Sequence, residues 1–349
     1  MSLWYCSPQA RLWTAPAGSG AARAFHEALP GFAATPLVPM PELAAQLGVG
    51  EVMVKDESER LGLPAFKVLG ASWACHQVLQ RHSGARLVTA TDGNHGRAVA
   101  RMAAHLGVGA TVFVPAVTLP STEALIAAEG AEVVRVEGNH DAAVRRAADF
   151  ADVHADSELV QDTAWPGYEQ VPAWIVEGYA TLLEEVDAQL GRVPDLVAVP
   201  VGVGSLAEAV LRHHRRPGAA HPAVLSVEPD TAACVLESLV AGRRTTVPTG
   251  DTVMAGLNCA TVSSTSWPVL QAGCDAAVVV TDEQALRAVD DLARHGISSG
   301  PSGAATLAGA RTALTSPDRR ADLDLPPDAV VALLSTEAAV PPPDRAEAL

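Results

Sequence analysis

Short β-branched runs alternate along the chain with Ala- and Leu-rich stretches whose apolar positions recur at helical spacing. That alternation is the pattern of a mostly parallel sheet carrying helices on its faces. Strands are predicted at 51–55 (EVMVK), 85–90 (ARLVTA), 110–115 (ATVFVP), 131–136 (AEVVRV), 195–200 (DLVAVP), 223–228 (AVLSVE), 276–280 (AAVVV) and 329–335 (AVVALLS). Helices fall between them, among them 65–82 (AFKVLGASWACHQVLQRH), 94–107 (NHGRAVARMAAHLG) and 122–130 (TEALIAAEG). Ser121 and Thr122 are N-cap candidates for the last of these, and Gly130 is its stop. A chain of 349 residues exceeds what one hydrophobic core usually supports, so two lobes are expected. The middle units bracketed by others of the same kind give the partition: a smaller lobe, 85–186, inserted into a larger one made of 1–84 and 187–349. The tail VPPPDRAEAL, 340–349, reads as a surface extension because its prolines can join neither a helix nor a central strand.

Charge narrows the range of partners. The formal net charge is -16, and the one basic cluster is RHHRR, Arg212 to Arg216. An acidic surface repels nucleic acid and anionic membranes, so neither is expected as a partner. No apolar run reaches the roughly 18 residues of a membrane span, and the N-terminal stretch has no basic region followed by an apolar one, which leads to the expectation of a cytoplasmic protein. Cys6, Cys75, Cys234, Cys259 and Cys274 show no C-x-x-C spacing, so inert thiols are expected, with a Cys234–Cys259 bridge as the alternative. No metal-type His/Asp/Glu spacing is visible. His213 and His214 read as solvated surface in a polar helix tail, and His95 as a structural residue with a proton shuttle as the alternative.

Three segments carry candidate chemistry. Of 24 Lys and Arg residues only Lys55 and Lys67 are lysine. Lys67 opens a predicted helix among Phe66, Val68 and Leu69. Burial there would lower its pKa and free an amine nucleophile, which an arginine could not supply; the alternative is a lysine whose stem covers core. The second segment, TATDGNHGRAVA (89–100), leaves a strand, turns through Asp92, Gly93, Asn94, His95 and Gly96, and enters a helix; ordinary turn chemistry would use the same residues. The third, VPVGVGSLAEA (199–209), places Gly202, Gly204 and Ser205 between a strand and a helix, where free amides and the helix dipole suit a phosphate. Gly202, Gly204 and Ala207 also fit a dinucleotide fingerprint with Glu228 as the ribose-binding acid, so a nicotinamide-dependent dehydrogenase is a rival. An amine, an anion cradle and polar turn side chains together match pyridoxal 5'-phosphate, which has an aldehyde, a phosphate and an aromatic ring.

Lys67 in AFKVLGAS, Asn94 in TDGNHG, the loop GVGS and the strand end LSTE (334–337) resemble the fold-type II pyridoxal-phosphate enzymes, the group of threonine dehydratase and tryptophan synthase β chain. VKDESERLGLPAFKVLGAS, QDTAWPGYEQVPAWIVEGYATLLEE (161–185) and AGLNCATVSSTSWPVL (255–270) are similar, within that group, to the diaminopropionate ammonia-lyases. The resemblance implies an α/β fold of two lobes, each an open, mostly parallel sheet flanked by helices, and a homodimer. It implies that Lys67 carries the cofactor and acts at the substrate's α-carbon. Asn94 would bond the ring hydroxyl, Gly202, Val203, Gly204, Ser205 and Leu206 the phosphate, and Ser335 the pyridine nitrogen. Asp92 would take the α-proton from the face opposite Lys67, Asp162 would pair with the β-ammonium group, and Asn258 would line the cleft. The implied reaction is α,β-elimination on a small amino acid, 2,3-diaminopropionate to pyruvate and ammonia; serine or threonine dehydration and β-replacement are the alternatives. The chain departs from the pattern at Pro301 in SGPSGAA (299–305), where a glutamate is expected, at Ala338 and Ala339 after STE, and at Ala98. The first of these implies a lost cleft carboxylate.

Overall fold

The computed structural model describes residues 4–16, 18–91, 93–218 and 220–339. Among them are eleven strands: β1 (Trp4–Cys6), β2 (Leu37–Pro39), β3 (Glu51–Asp56), β4 (Arg86–Ala90), β5 (Ala110–Pro115), β6 (Glu132–Val136), β7 (Ser157–Leu159), β8 (Leu196–Pro200), β9 (Ala223–Pro229), β10 (Ala276–Val280) and β11 (Val330–Ser335). Helices α1 (Ala21–Glu27), α2 (Pro41–Leu47) and α3 (Lys67–Arg81) precede β4; α4 (Asn94–His105), α5 (Pro120–Ala128) and α6 (His140–Val153) alternate with β4 to β7; α7 (Gln170–Leu190) leads to β8. Beyond it come α8 (Ser205–His214), α9 (Cys234–Ala241), α10 (Ser266–Gly273), α11 (Asp282–Arg294), α12 (Pro301–Leu314) and α13 (Pro317–Leu323).

The strands form two sheets. One has seven strands in the order β1-β10-β9-β8-β11-β3-β2; its five inner strands are parallel and its two edges antiparallel. The other has four parallel strands in the order β6-β5-β4-β7 and is drawn entirely from residues 86–159. The inner strands β8, β9, β10 and β11 are buried along their whole length, which is why they read as continuous apolar runs rather than as alternation. One hydrophobic core fills the space between the sheets with α3, α7 and α8, and a second lies under α12 on the far face of the larger sheet.

Chain direction within each sheet fixes where a site can form. In the smaller sheet the chain runs from β4 through β5 to β6, then returns to the other side of β4 as β7. In the larger one it runs from β8 through β9 to β10, while β11 lies on the other side of β8. Each sheet therefore has a switch point, between β4 and β7 and between β8 and β11, where loops diverge from adjacent carboxyl ends and leave a crevice.

All eight predicted strands are present, within a residue or so of their expected bounds. The short strands β1, β2 and β7 are additional, each of three residues and too brief to carry periodicity. Helix α5 starts at Pro120, with Leu119 as its N-cap, so Ser121 and Thr122 stand inside its first turn rather than capping it. Proline's fixed φ and missing amide suit that first position. The tail 340–349 lies outside the described residues.

His213 and His214 are buried rather than solvated, because the end of α8 packs on α7, and His213 Nε2 lies 2.7 Å from Asp187 Oδ2. Cys234 and Cys259 are not bridged; none of the five cysteines is in a disulfide. No helix among the described residues is long and apolar enough to cross a membrane. Lys55 is fully buried and donates to Glu185 Oε2 (2.7 Å), the Thr35 carbonyl (2.8 Å) and Gln189 Oε1 (2.9 Å). Arg60 donates to both oxygens of Glu185 and of Glu57, so this polar cluster pins β3 to α7 beneath the crevice.

Candidate active site

The four loops that leave the two switch points converge. From the smaller sheet come the turn after β4, with Asn94, and the segment after β7, with Gln161 and Asp162. From the larger come the glycine loop after β8 and the end of β11 at Ser335. Lys67 is the first residue of α3 and is joined to β11 by the Phe66 amide, which donates to the Thr336 carbonyl (3.2 Å), and by pairing of Ala65 with Glu337.

Lys67 Nζ donates to Asp162 Oδ2 at 2.7 Å. The expectation of a lowered lysine pKa is corrected here. Burial does push the amine down, but the Asp162 charge, the Tyr179 side chain and the hydrogen bond to Asp162 together hold it above its ordinary value. Burial alone would raise Asp162, yet the Lys67 charge and its hydrogen bond hold the carboxyl below the usual range, so it is ionised at neutral pH. Sequence reasoning had no partner to assign to Lys67, because Asp162 lies 95 residues away. Of the chain's two lysines, only this one faces the crevice.

Asp162 is itself fixed by its neighbours. Gln161 is buried, accepts the Ala90 amide (3.0 Å) and the Thr89 hydroxyl (3.1 Å), and donates from Nε2 to Asp162 Oδ1 (3.3 Å). The Asp162 carbonyl accepts from Ser205 Oγ (2.8 Å), which joins the smaller sheet's loop to the glycine loop. Ser263 strengthens that seam: its amide donates to the Val203 carbonyl (2.9 Å) and its hydroxyl accepts the Ala164 amide (3.0 Å). His95 is buried and donates from Nε2 to the Val160 carbonyl (2.8 Å), leaving Nδ1 without a partner. Burial holds the ring's pKa below its ordinary value despite the Asp162 charge, so the imidazole is neutral.

The glycine loop tests whether an anion-bearing group fits. A Cβ at Gly202 would stand 2.9 Å from Cys259 Sγ and 3.0 Å from the Gly256 carbonyl oxygen. Gly204 has φ +100, and a Cβ there would meet Leu270 Cδ1 at 2.7 Å. Both positions therefore require glycine. The first α-helical bond after them runs from the Glu208 amide to the Gly204 carbonyl (2.8 Å), so the amides of Ser205, Leu206 and Ala207 are free of the helix ladder at its positive end. Ser335 is fully buried at the end of β11, with Oγ 2.8 Å from Ser299 Oγ. The Tyr179 hydroxyl is buried beside Lys67 without a partner of hydrogen-bonding geometry, and burial raises its pKa to about 12. An amine, a cradle that excludes any side chain, a neutral hydroxyl and unsatisfied polar atoms fit an aldehyde-bearing aromatic phosphate.

Glu337, expected only as the end of a matching block, is a site residue that sequence reasoning missed. It accepts from Asn94 Nδ2 through Oε2 (3.2 Å) and from the Ser302 amide through Oε1 (3.2 Å), and burial raises its pKa. Pro301 occupies the first turn of α12, where its fixed φ suits the helix start, and Glu337, two residues beyond β11, meets that turn through the Ser302 amide. Asn258 is exposed and its amide donates to the Gly250 carbonyl (3.1 Å), while its neighbours Leu257 and Cys259 lie against Gly202 of the glycine loop. Asp92 lies outside the described residues. Glu228 is fully buried, and its two oxygens accept the Val235 and Leu236 amides at 2.7 Å each. It caps α9 and is not free for a ribose, which removes the structural basis of the dehydrogenase reading.

Residues 28–337 match the family described as pyridoxal-phosphate dependent enzymes. The chain belongs to this family. Its cofactor is accordingly pyridoxal 5'-phosphate, and its fold is that of the fold-type II members. The diaminopropionate ammonia-lyase of Escherichia coli K12 is 36% identical over 350 residues, covering 90% of this chain and 87% of the relative. That of Salmonella typhimurium is 38% identical over 284 residues, covering 71% and 69%. A crystal structure of the Escherichia coli enzyme in complex with an aminoacrylate-PLP azomethine reaction intermediate superposes with a TM-score of 0.84 at 35% identity, covering 93% of this chain and 91% of that one. Maize serine racemase shares the fold, with a TM-score of 0.80 at 21% identity and coverage of 94% and 95%.

Proposed function

We propose that this family member is a carbon–nitrogen lyase that converts 2,3-diaminopropionate to pyruvate and two molecules of ammonia, with consumption of one water. The observation that carries the reading is the contact between the Lys67 amine and an ionised Asp162 at the junction of both switch points. A dehydratase of hydroxy amino acids has no cationic β-substituent to recognise, whereas a buried carboxylate in a crevice is a binding partner for a β-ammonium group.

Pyridoxal phosphate, when bound, supplies an electron sink for negative charge developing at the α-carbon. Lys67 would hold the cofactor and, once displaced by substrate, exchange a proton at the α-carbon. Asp162 would orient the β-ammonium group as it leaves. Asp92 would act as the base on the opposite face, serving the second stereoisomer. Asn94 would hold the ring hydroxyl, and the main chain of Gly202, Val203, Gly204, Ser205 and Leu206 the phosphate. Ser335, neutral, would face the ring nitrogen and keep the sink weaker than a carboxylate would, which favours elimination over transamination. Asn258, one residue from the segment against Gly202, would line the cleft. The segment 85–186 would move as a lobe over the crevice, and cysteines outside any disulfide suit the reducing cytoplasm. A homodimer is the state that the family resemblance supports.

The deciding experiment is release of ammonia from a panel of β-substituted amino acids by the yellow, borohydride-sensitive protein. Two equivalents of ammonia per pyruvate from diaminopropionate support the proposal. Turnover of serine or threonine with none of diaminopropionate would replace it with a dehydratase, and no turnover of any would leave a cofactor-binding protein.

A further inference from the structure

At the end of α8 opposite the glycine loop, about 15 Å away along its 10 residues, three ligand-type side chains meet. Asp187 belongs to the last turn of α7, and His213 and His214 to the last turn of α8. One ligand atom from each lies within 4.8 Å of those of the other two. Both histidines are buried, while the Asp187 side chain retains 23% exposure and so opens the cluster to solvent. Asp187 Oδ2 pairs with His213 Nε2, but Asp187 Oδ1 and His214 Nε2 are buried without any hydrogen-bond partner. Two orphaned acceptor-capable atoms in one buried cluster are costly unless something completes them.

We propose that Asp187, His213 and His214 form a site for a divalent transition metal of the zinc class, separate from the catalytic crevice. Two imidazoles and a carboxylate are a suitable zinc donor set, with a fourth position left to solvent. Tetrahedral ligands at about 2.1 Å from a metal stand roughly 3.4 Å apart, so side-chain movement of about an ångström closes the site. The carbonyl ends of both helices face this region and favour a cation. The opposing charges are accounted for: Arg215 is ion-paired with Asp275, Arg212 with Glu208, and His221 is spent on the Arg11 and Arg216 carbonyls. Arg216 is the remaining competitor, with Nη2 3.4 Å from His213 Nε2. It is half-exposed, its Nε donates to the His213 carbonyl (2.6 Å), and its Nη2 would have to turn to solvent for a metal to take His213 Nε2.

The test uses untagged holoenzyme and Co2+ as the probe, read by equilibrium dialysis and by the visible bands of tetrahedral cobalt. The expected result is saturation at one equivalent per chain, displacement by Zn2+, and a drop in affinity of about tenfold or more in His214→Gln. Arg216→Ala should bind Co2+ more tightly, which decides the matter if the histidine variant does not fold. No saturable binding by the wild-type protein, cobalt binding unchanged by His214→Gln, or Arg216→Ala affinity equal to wild type would overturn the proposal.

Discussion

Lys67 and Asp162 meet at 2.7 Å, amine to carboxylate, although one begins a helix that follows the larger sheet's β3 and the other leaves the smaller sheet's β7. The pair holds the lysine protonated and the aspartate ionised, each through the other's charge. Whatever neutralises the amine releases the carboxylate for a different cation. Lys67→Ala should abolish the yellow band and turnover. Asp162→Asn should keep the band while kcat/KM for diaminopropionate falls by about a hundredfold or more, since the loss falls on positioning of the leaving group. Unchanged kinetics in Asp162→Asn would remove the aspartate from the mechanism.

Gly204 gives a prediction about cofactor retention. With φ +100 and Leu270 Cδ1 at 2.7 Å from where a Cβ would be, Gly204→Ala must either strain its backbone or distort the loop. Such strain costs about 1–3 kcal/mol. The variant should therefore melt at lower temperature and require more pyridoxal phosphate for half-saturation in a reconstitution titration.

Removing Glu185 should cost far more than any surface carboxylate. It lies fully inside the protein between Lys55 and Arg60, at 2.7 Å from each. Glu185→Ala leaves the buried Lys55 with no carboxylate and Arg60 with Glu57 alone, an effect of about 3–5 kcal/mol. Urea denaturation of the purified variant checks the magnitude, and a loss below 1 kcal/mol would contradict a fully desolvated network.

His26 makes stability depend on pH. Its Nε2 donates to the Leu69 carbonyl (2.9 Å), its Nδ1 lies 2.8 Å from the Thr181 hydroxyl, and burial lowers its pKa from 6.5 to about 4. Above the unfolded value the ring is neutral in both states and nothing is lost. Between pH 6.5 and 4 only the unfolded chain takes up the proton, so stability falls with pH and then levels off, a total of about 3 kcal/mol. The stability advantage of wild type over His26→Gln should shrink by about 2 kcal/mol between pH 7 and pH 5.

The sequence displayed those features that repeat or that depend on neighbours in the chain. Eight strands announce themselves as β-branched, largely apolar runs, and the turns after β4 and β8 by their glycines. Contacts between distant loops left no such trace. Asp162 meeting Lys67, Asn94 meeting Glu337 and Asp187 meeting His213 are set by the order of strands, which no local pattern encodes. The direction of the Lys67 pKa was misread for this reason: burial was visible from its apolar neighbours, whereas the opposing charge arrives from 95 residues away. Pro301 stands in the first turn of α12, and the Ser302 amide beside it donates to Glu337, two residues beyond β11, a contact that the sequence does not display.

The scarcity of lysine also has a practical use. Lys55, on β3, is fully buried and held by three acceptors, while Lys67 is the sole other lysine and retains 25% side-chain exposure. In the native protein, an amine-selective label followed by peptide mapping thus reports on one side chain. Protection of that one peptide measures cofactor occupancy directly, without recourse to colour or to product formation.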